Sequence, residues 1–143
     1  KMEEDMDNIT EEDRKKMLEK WAPLRDETLE ETSRRFQIVI GAILSKQTQF
    51  SMVLKAIRTM KENKTLCPDG KSLNPEKLAN FEWEALHRMI SFVHYNKQKS
   101  KHIVAASKLI VERFRGVVPT QPDQTQLLPG IGPMLSSVID IVG

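Results

Sequence analysis

A single cysteine, Cys67, excludes an internal disulfide and cannot by itself build a zinc or iron–sulfur site, which needs several thiolates or imidazoles. No apolar stretch approaches eighteen uninterrupted residues, which argues against a membrane-spanning helix. The opening residues Lys1-Met2-Glu3-Glu4-Asp5 lack a positive flank followed by an apolar block, so no secretory signal is expected among them. The three histidines, His87, His94 and His102, fall in different segments without metal-ligand spacing and are expected as surface or partly packed imidazoles. What is present, 39% apolar and 29% charged residues over a 143-residue chain, suits one globular domain with its own core. A reducing intracellular compartment, mitochondrion or nucleus, is the expected setting, with no membrane partner and no small-molecule substrate.

The formal net charge of +2 hides an asymmetry. Residues 1–33 carry twelve acids and six bases, whereas residues 34–143 carry eight acids and sixteen bases. The chain therefore divides into an acidic N-terminal helix and linker, 1–33, and a basic domain, 34–143. A net +8 over the second part suits a polyanion, because neutralising phosphates dominates non-specific nucleic-acid affinity. It equally suits a set of solvated basic faces.

Helix signals recur along the chain and strand signals do not. Thr10-Glu11-Glu12-Asp13 is a capping-box pattern with acids in the first turn, and Met17, Leu18 and Trp21 follow on one face until Pro23 ends the helix. The run Phe36–Leu44 is almost wholly apolar, and periodicity alone leaves it open between a buried strand and a buried helix. Its neighbours decide for helix. Met52–Met60 and Phe81–Val93 space their apolar residues by three and four, and no β-hairpin dipeptide separates regular alternating runs. The clearest helix is expected from about Lys99 to Arg113, with Ile103, Ala106, Leu109, Ile110 and Phe114 on its inner side. Pro68-Asp69-Gly70 marks a turn in the longest loop, and Asn74-Pro75 a helix start. The expected fold is all-α, with six to eight short helices and no sheet.

Leu128-Pro129-Gly130-Ile131-Gly132-Pro133 is the most informative stretch, because it sets two glycines immediately before an apolar helix. Glycine admits positive φ and removes side-chain bulk, so amides at the following helix N-terminus can approach a phosphate. Pro133 suits the first helical turn. A tight interhelix turn without a ligand accounts for the same pattern.

Taken with two further segments, this stretch resembles the endonuclease III family of helix-hairpin-helix DNA glycosylases. Residues 34–49, RRFQIVIGAILSKQTQ, resemble the family's first core helix, ending in L-S-x-Q-T at Leu44, Ser45, Gln47 and Thr48. Residues 99–119 resemble its Lys-bearing helix followed by G-x-V-P at Gly116, Val118 and Pro119. Residues 128–143 supply the hairpin, within a motif at about 123–143. The resemblance implies an endonuclease III-like six-helix barrel. It further implies a hairpin whose backbone amides, at Gly130, Ile131 and Gly132, grip a nucleic-acid backbone. A glutamine at Gln47 would fill the gap left by an extruded base. The nearby Lys97, Lys99 and Lys101 would either bind phosphates beside the hairpin or form a solvated helix start. Gln47 itself would be either that wedge or a bridge between helices.

The departures from the family bear on chemistry. The position of the family's Schiff-base lysine holds Met134, whose thioether has no amine. The family's catalytic aspartate falls after Gly143, and Asp140, inside the last helix, does not match it. The family's cluster cysteines are absent from the chain, so no iron–sulfur cluster and no other cofactor is expected. His94 stands where the family usually has glycine, and Phe50 where it commonly has an acid. The expected function is accordingly a catalytically inactive endonuclease III-like domain. It would bind RNA or duplex DNA, together with other proteins of a nucleoprotein assembly such as a mitochondrial ribosome. The alternative is a fragment or inactivated form of a DNA glycosylase/AP lyase of base excision repair.

Overall fold

A computed structural model describes residues 9–143 and is entirely helical there, with eight α-helices, one 3-10 turn and no strand among the described residues. The acidic residues Glu3, Glu4, Asp5 and Asp7 of the expected leader lie outside the described residues. The first helix, α1 (Glu11–Trp21), starts as its capping box dictates. The Thr10 hydroxyl accepts from the Asp13 amide at 3.0 Å, and the Asp13 carboxylate accepts from the Thr10 amide at 3.3 Å. Pro23 closes the chain into a 3-10 turn, Ala22–Leu24. Trp21 is buried edge-to-face on Phe50, with ring centroids 5.3 Å apart, while Leu18 of the expected apolar face is exposed.

The ambiguous apolar run is the centre of the fold. It lies in α2 (Glu31–Leu44), in which ten successive residues from Arg35 to Leu44 are buried. A helix buried on every side shows no amphipathic period, which is why the sequence pattern alone was silent. Its two polar members are tied to loops. The Gln37 amide donates to Leu24 O at 2.8 Å, and the Arg35 guanidinium donates to Pro119 O at 2.8 Å. Gly41 is required here by close approach, since a Cβ would lie 2.6 Å from the Leu24 Cδ1. Gly41→Ala should therefore push Leu24 out of place and lower stability by about 1–3 kcal/mol in denaturant titrations, although alanine is the better helix former. An unchanged midpoint would show that Leu24 yields freely.

After α2 come α3 (Phe50–Glu62), α4 (Pro75–Ala79), α5 (Trp83–Met89), α6 (Asn96–Phe114), α7 (Pro122–Thr125) and α8 (Pro133–Val142), with α3, α6 and α8 packed on α2 and with α4 and α5 packed on α6. In α3 the buried set Val53, Ala56, Ile57 and Met60 follows the three-and-four spacing of one helix face. Asn74 caps α4 by accepting from the amides of Glu76 and Lys77, with Pro75 in the first turn. α6 begins three residues before the expected Lys99, so Lys97 is helical as well. No helix of the described residues is long and apolar enough to cross a membrane.

Candidate nucleic-acid interface

The hairpin is α7, the loop Gln126–Gly132 and α8. The Thr125 and Ser136 hydroxyls hydrogen-bond each other at 2.5 Å and both meet Pro122 O, at 3.1 and 3.2 Å, so a buried polar contact holds the two helices together. Leu128 and Ile131 are buried in the core, and the Ile131 amide donates to Leu128 O at 3.0 Å. Ile131 is thus an anchor for the loop, not the amide contact that the resemblance implies, because both its side chain and its N–H are already engaged.

The two glycines do different work. Gly130 has φ +85°, and a Cβ there would sit 3.1 Å from His102 Nδ1, so the turn itself requires it. Gly132 has an ordinary φ of −95°, and nothing lies within 4 Å of the Cβ position. The fold would accept other residues there. Gly132 is the N-cap of α8, no side chain caps that helix, and Pro133 has no N–H, which leaves the amides of Met134 and Leu135 for an outside acceptor.

His102, beneath Gly130, connects the hairpin to the turn after α2. With Ile43, Lys46, Gln47, Tyr95 and Gln98 it lines a hollow of about 280 Å³. Gln47 and Tyr95 both hold left-handed backbones, φ 49° and 56°, and Tyr95 is 57% exposed. Strained non-glycine residues gather at sites where side-chain placement matters. Gln47 is legible from its motif, but Tyr95 and His102 are not legible as its companions, since nothing local brings residues 47, 95, 102 and 130 together. The His102 imidazole is held below its ordinary pKa, first by burial and then by the Lys46 charge. A lowered value means that the folded protein takes up a proton less readily than the unfolded chain. Stability should then fall as the pH drops below about 6.5, and His102→Asn should flatten that limb in thermal melts while leaving the deeper acid limb of the carboxylates.

The three lysines expected to act together are separated. Lys97 and Lys101 stand one helical turn apart and share a face, their amines 5.9 and 4.5 Å from the Trp83 ring centroid. Lys99, two residues from each, points the other way and is 4% exposed. Its amine donates to Leu44 O at 2.9 Å, to Thr48 Oγ1 at 2.5 Å and to Lys46 O. Burial, with a smaller push from Lys46, lowers its pKa to about 8. Lys99 is therefore no surface phosphate ligand, because it lies on the face of α6 that carries the buried Ile103, Ala106 and Ile110. His87 is likewise engaged, with the Asn96 amide 2.6 Å from its Nδ1 and donating to its carbonyl at 2.8 Å.

Met134 is 73% exposed, in a cleft of about 880 Å³ between α1 and α8. Trp21, Met17 and Val138 contribute apolar walls, and Lys16 and Lys20 bring amines from α1. Asp13 also lines the cleft, but its carboxylate is committed to the helix cap, and the Thr10 hydrogen bonds lower its pKa. Cys67 is buried in the loop after α3, with its thiol donating to Ser72 O at 3.1 Å and its pKa raised first by burial and then by Asp69. One buried thiol does not fit a cluster that needs four thiolates, and among the described residues no group of three or more His, Cys, Asp or Glu side chains could hold a metal ion.

Residues 40–138 match the family model described as "HhH-GPD superfamily base excision DNA repair protein". Similar proteins include an Arabidopsis thaliana chloroplastic endonuclease III homolog, 27% identical over 76% of this chain and 27% of its own length. Endonuclease III of Thermotoga maritima is 28% identical over 76% of this chain and 47% of its own length. The chain thus spans between about a quarter and a half of these two relatives. Among solved structures, a trapped endonuclease III–DNA covalent intermediate superposes with TM-score 0.66 at 20% identity, covering 90% of this chain and 56% of that one. A non-covalent endonuclease III–DNA complex also superposes with TM-score 0.66, covering 89% and 55%. The expected endonuclease III-like fold is thereby established.

Proposed function

The chain belongs to the HhH-GPD superfamily of base excision DNA repair proteins, and from that premise we propose that its described part binds duplex DNA and recognises a gap in the base stack. The hairpin holds a phosphate on the amides that follow Gly132, while Gln47 and Tyr95 meet the bases. The observation that carries this reading is their placement on one hollow: His102 packs under hairpin Gly130 and shares the hollow with both residues. Tyr95 offers an exposed ring for a base to stack on, and Gln47 offers an amide that can hydrogen-bond to a base edge. Lys97 and Lys101 supply further positive charge beside Trp83.

At the hairpin itself no amine is available, because Met134 occupies the position of the family's lysine. The proposed role there is binding and distortion of the duplex, without a Schiff base at that position. The solved complexes that resemble this chain are with DNA, and the relatives carry the name endonuclease III. Neither points to a mitochondrial ribosome, and of the two expected ligands, RNA or duplex DNA, duplex DNA is the one proposed.

The test is binding of the purified chain to intact duplex, duplex with an abasic-site analogue, and structured RNA at two salt concentrations. The expected result is salt-sensitive binding that favours the abasic duplex, by about tenfold if Gln47 and Tyr95 together contribute about 1.4 kcal/mol in the gap. Equal affinity for all three nucleic acids would remove the base-stack role. No binding, or binding indifferent to salt, would remove the hairpin from nucleic acid altogether.

A further inference from the structure

Lys99 is a buried cation with no carboxylate partner among the described residues, and the proposed function does not use it directly. Its ammonium sits at the C-terminal end of α2, where the last carbonyls of a helix lack intrahelical donors and carry partial negative charge. Three N–H groups meet three oxygens there: Leu44 O closes the helix, while Lys46 O and Thr48 Oγ1 flank Gln47 on either side. The rest of the turn fits this arrangement. The Thr48 hydroxyl donates to Lys46 O at 3.1 Å and so can accept from the amine, and the Thr48 amide donates to Ser45 O at 3.3 Å. Ser45 Oγ donates to Ala42 O at 2.7 Å, which ties the start of the turn to α2. Gln47, between two of the amine's acceptors, has φ 49°, a conformation glutamine does not favour unless its surroundings impose it.

We propose that Lys99 is a positioning residue, which locks the Ser45–Gln49 turn in the conformation that presents Gln47 to the duplex. A lysine suits the task because three donors on one compact nitrogen can serve three oxygens that no planar guanidinium would reach together. The charged groups around it do not offer a competing account. Lys46 repels it, His102 lies on its own helix, and Tyr95 completes the same hollow. Lys99 is absent from the ion pairs of the described residues. The inference rests on the reading that Gln47 enters the duplex, but half of its test does not.

Lys99→Met keeps the length and burial of the stem and removes all three donors, and Thr48→Val removes one acceptor as a milder second variant. Amide hydrogen exchange without DNA should accelerate at Lys46, Gln47 and Gln49 by tenfold or more in Lys99→Met and by less in Thr48→Val, with the α3 and α6 amides unchanged. On an abasic-analogue duplex carrying 2-aminopurine opposite the gap, Lys99→Met should lose most of the fluorescence change that Gln47→Ala also loses. Its salt slope should stay that of the parent, whereas Lys101→Met should reduce the slope by about one, as a lost phosphate contact does. Unchanged exchange in the turn, or a reduced slope for Lys99→Met, would overturn the proposal. If Gln47→Ala leaves the fluorescence unchanged, the wedge reading fails by itself, and the exchange rates still decide whether Lys99 sets the turn. Should Lys99→Met unfold, Thr48→Val carries the same comparison, and parental exchange rates in that variant overturn the tie.

Discussion

Gly132→Asp should weaken binding to duplex DNA by about a hundredfold at fixed salt while leaving the folded state as stable as before or slightly more so. The opposite signs follow from one position. Aspartate is a better helix N-cap than glycine by a few tenths of a kcal/mol, and its charge is favourable at a helix N-terminus, so α8 gains. Gly132 has an ordinary φ, and its Cβ would meet nothing within 4 Å, so the fold offers no objection. A phosphate seated on the amides of Met134 and Leu135 would be displaced by the carboxylate. Two charge-assisted hydrogen bonds at about 1.5 kcal/mol each correspond to a factor of roughly a hundred.

Gly130→Ala makes the contrast. Its φ of +85° and the His102 ring 3.1 Å from the new Cβ should cost about 1–3 kcal/mol of stability, which appears as a lowered melting temperature with DNA or without. The pair separates a glycine the turn needs from a glycine the ligand needs. An affinity for duplex DNA unaltered in Gly132→Asp would show that the hairpin is only a turn between helices.

How far the sequence revealed this arrangement depends on the range of the interaction involved. The capping box at Thr10 and Asp13, the Asn74-Pro75 helix start and the helix face of α3 are local patterns, and each was readable within a few residues. The central helix was readable only through its neighbours, because burial on all sides erases the amphipathic period. A helix started at Lys99 leaves Lys97 outside it, although Lys99 already shares the face of Ile103, Ala106 and Ile110. Begun at Asn96, its geometry already places Lys97 and Lys101 together and Lys99 opposite. What no local pattern holds is why Lys99 is buried. Its acceptors belong to residues 44–48, and only the packing of α6 against α2 brings them to the amine. The same applies to Gly41, whose need is set by Leu24, and to Tyr95 and His102, which become site residues through the hairpin.

Met134→Lys should not by itself give strand cleavage at neutral pH, and any borohydride-trapped adduct with abasic DNA should grow by about three orders of magnitude between pH 7 and pH 10. The reason is the state of the new amine. An exposed lysine has a pKa near 10.4, so at pH 7 only roughly one amine in 2,500 is neutral and able to attack an aldehyde carbon. A reactive lysine needs its proton made labile, by burial in an apolar pocket or by cationic neighbours. Position 134 is 73% exposed, which denies the first, and Lys16 and Lys20 across the cleft are the sole source of the second among the residues lining it. Lys16 is partly compensated by Glu12, 3.7 Å away on the same helix face. The steep pH dependence distinguishes an ordinary exposed amine from an activated one. Rapid trapping at pH 7 would mean that the cleft between α1 and α8 still lowers an amine pKa by several units. In that event Met134 would be the one obstacle to Schiff-base chemistry on a site otherwise prepared for it. Trapping that stays at background even at pH 10 would place the abasic carbon out of reach of this position and would move the proposed path of the duplex away from the start of α8.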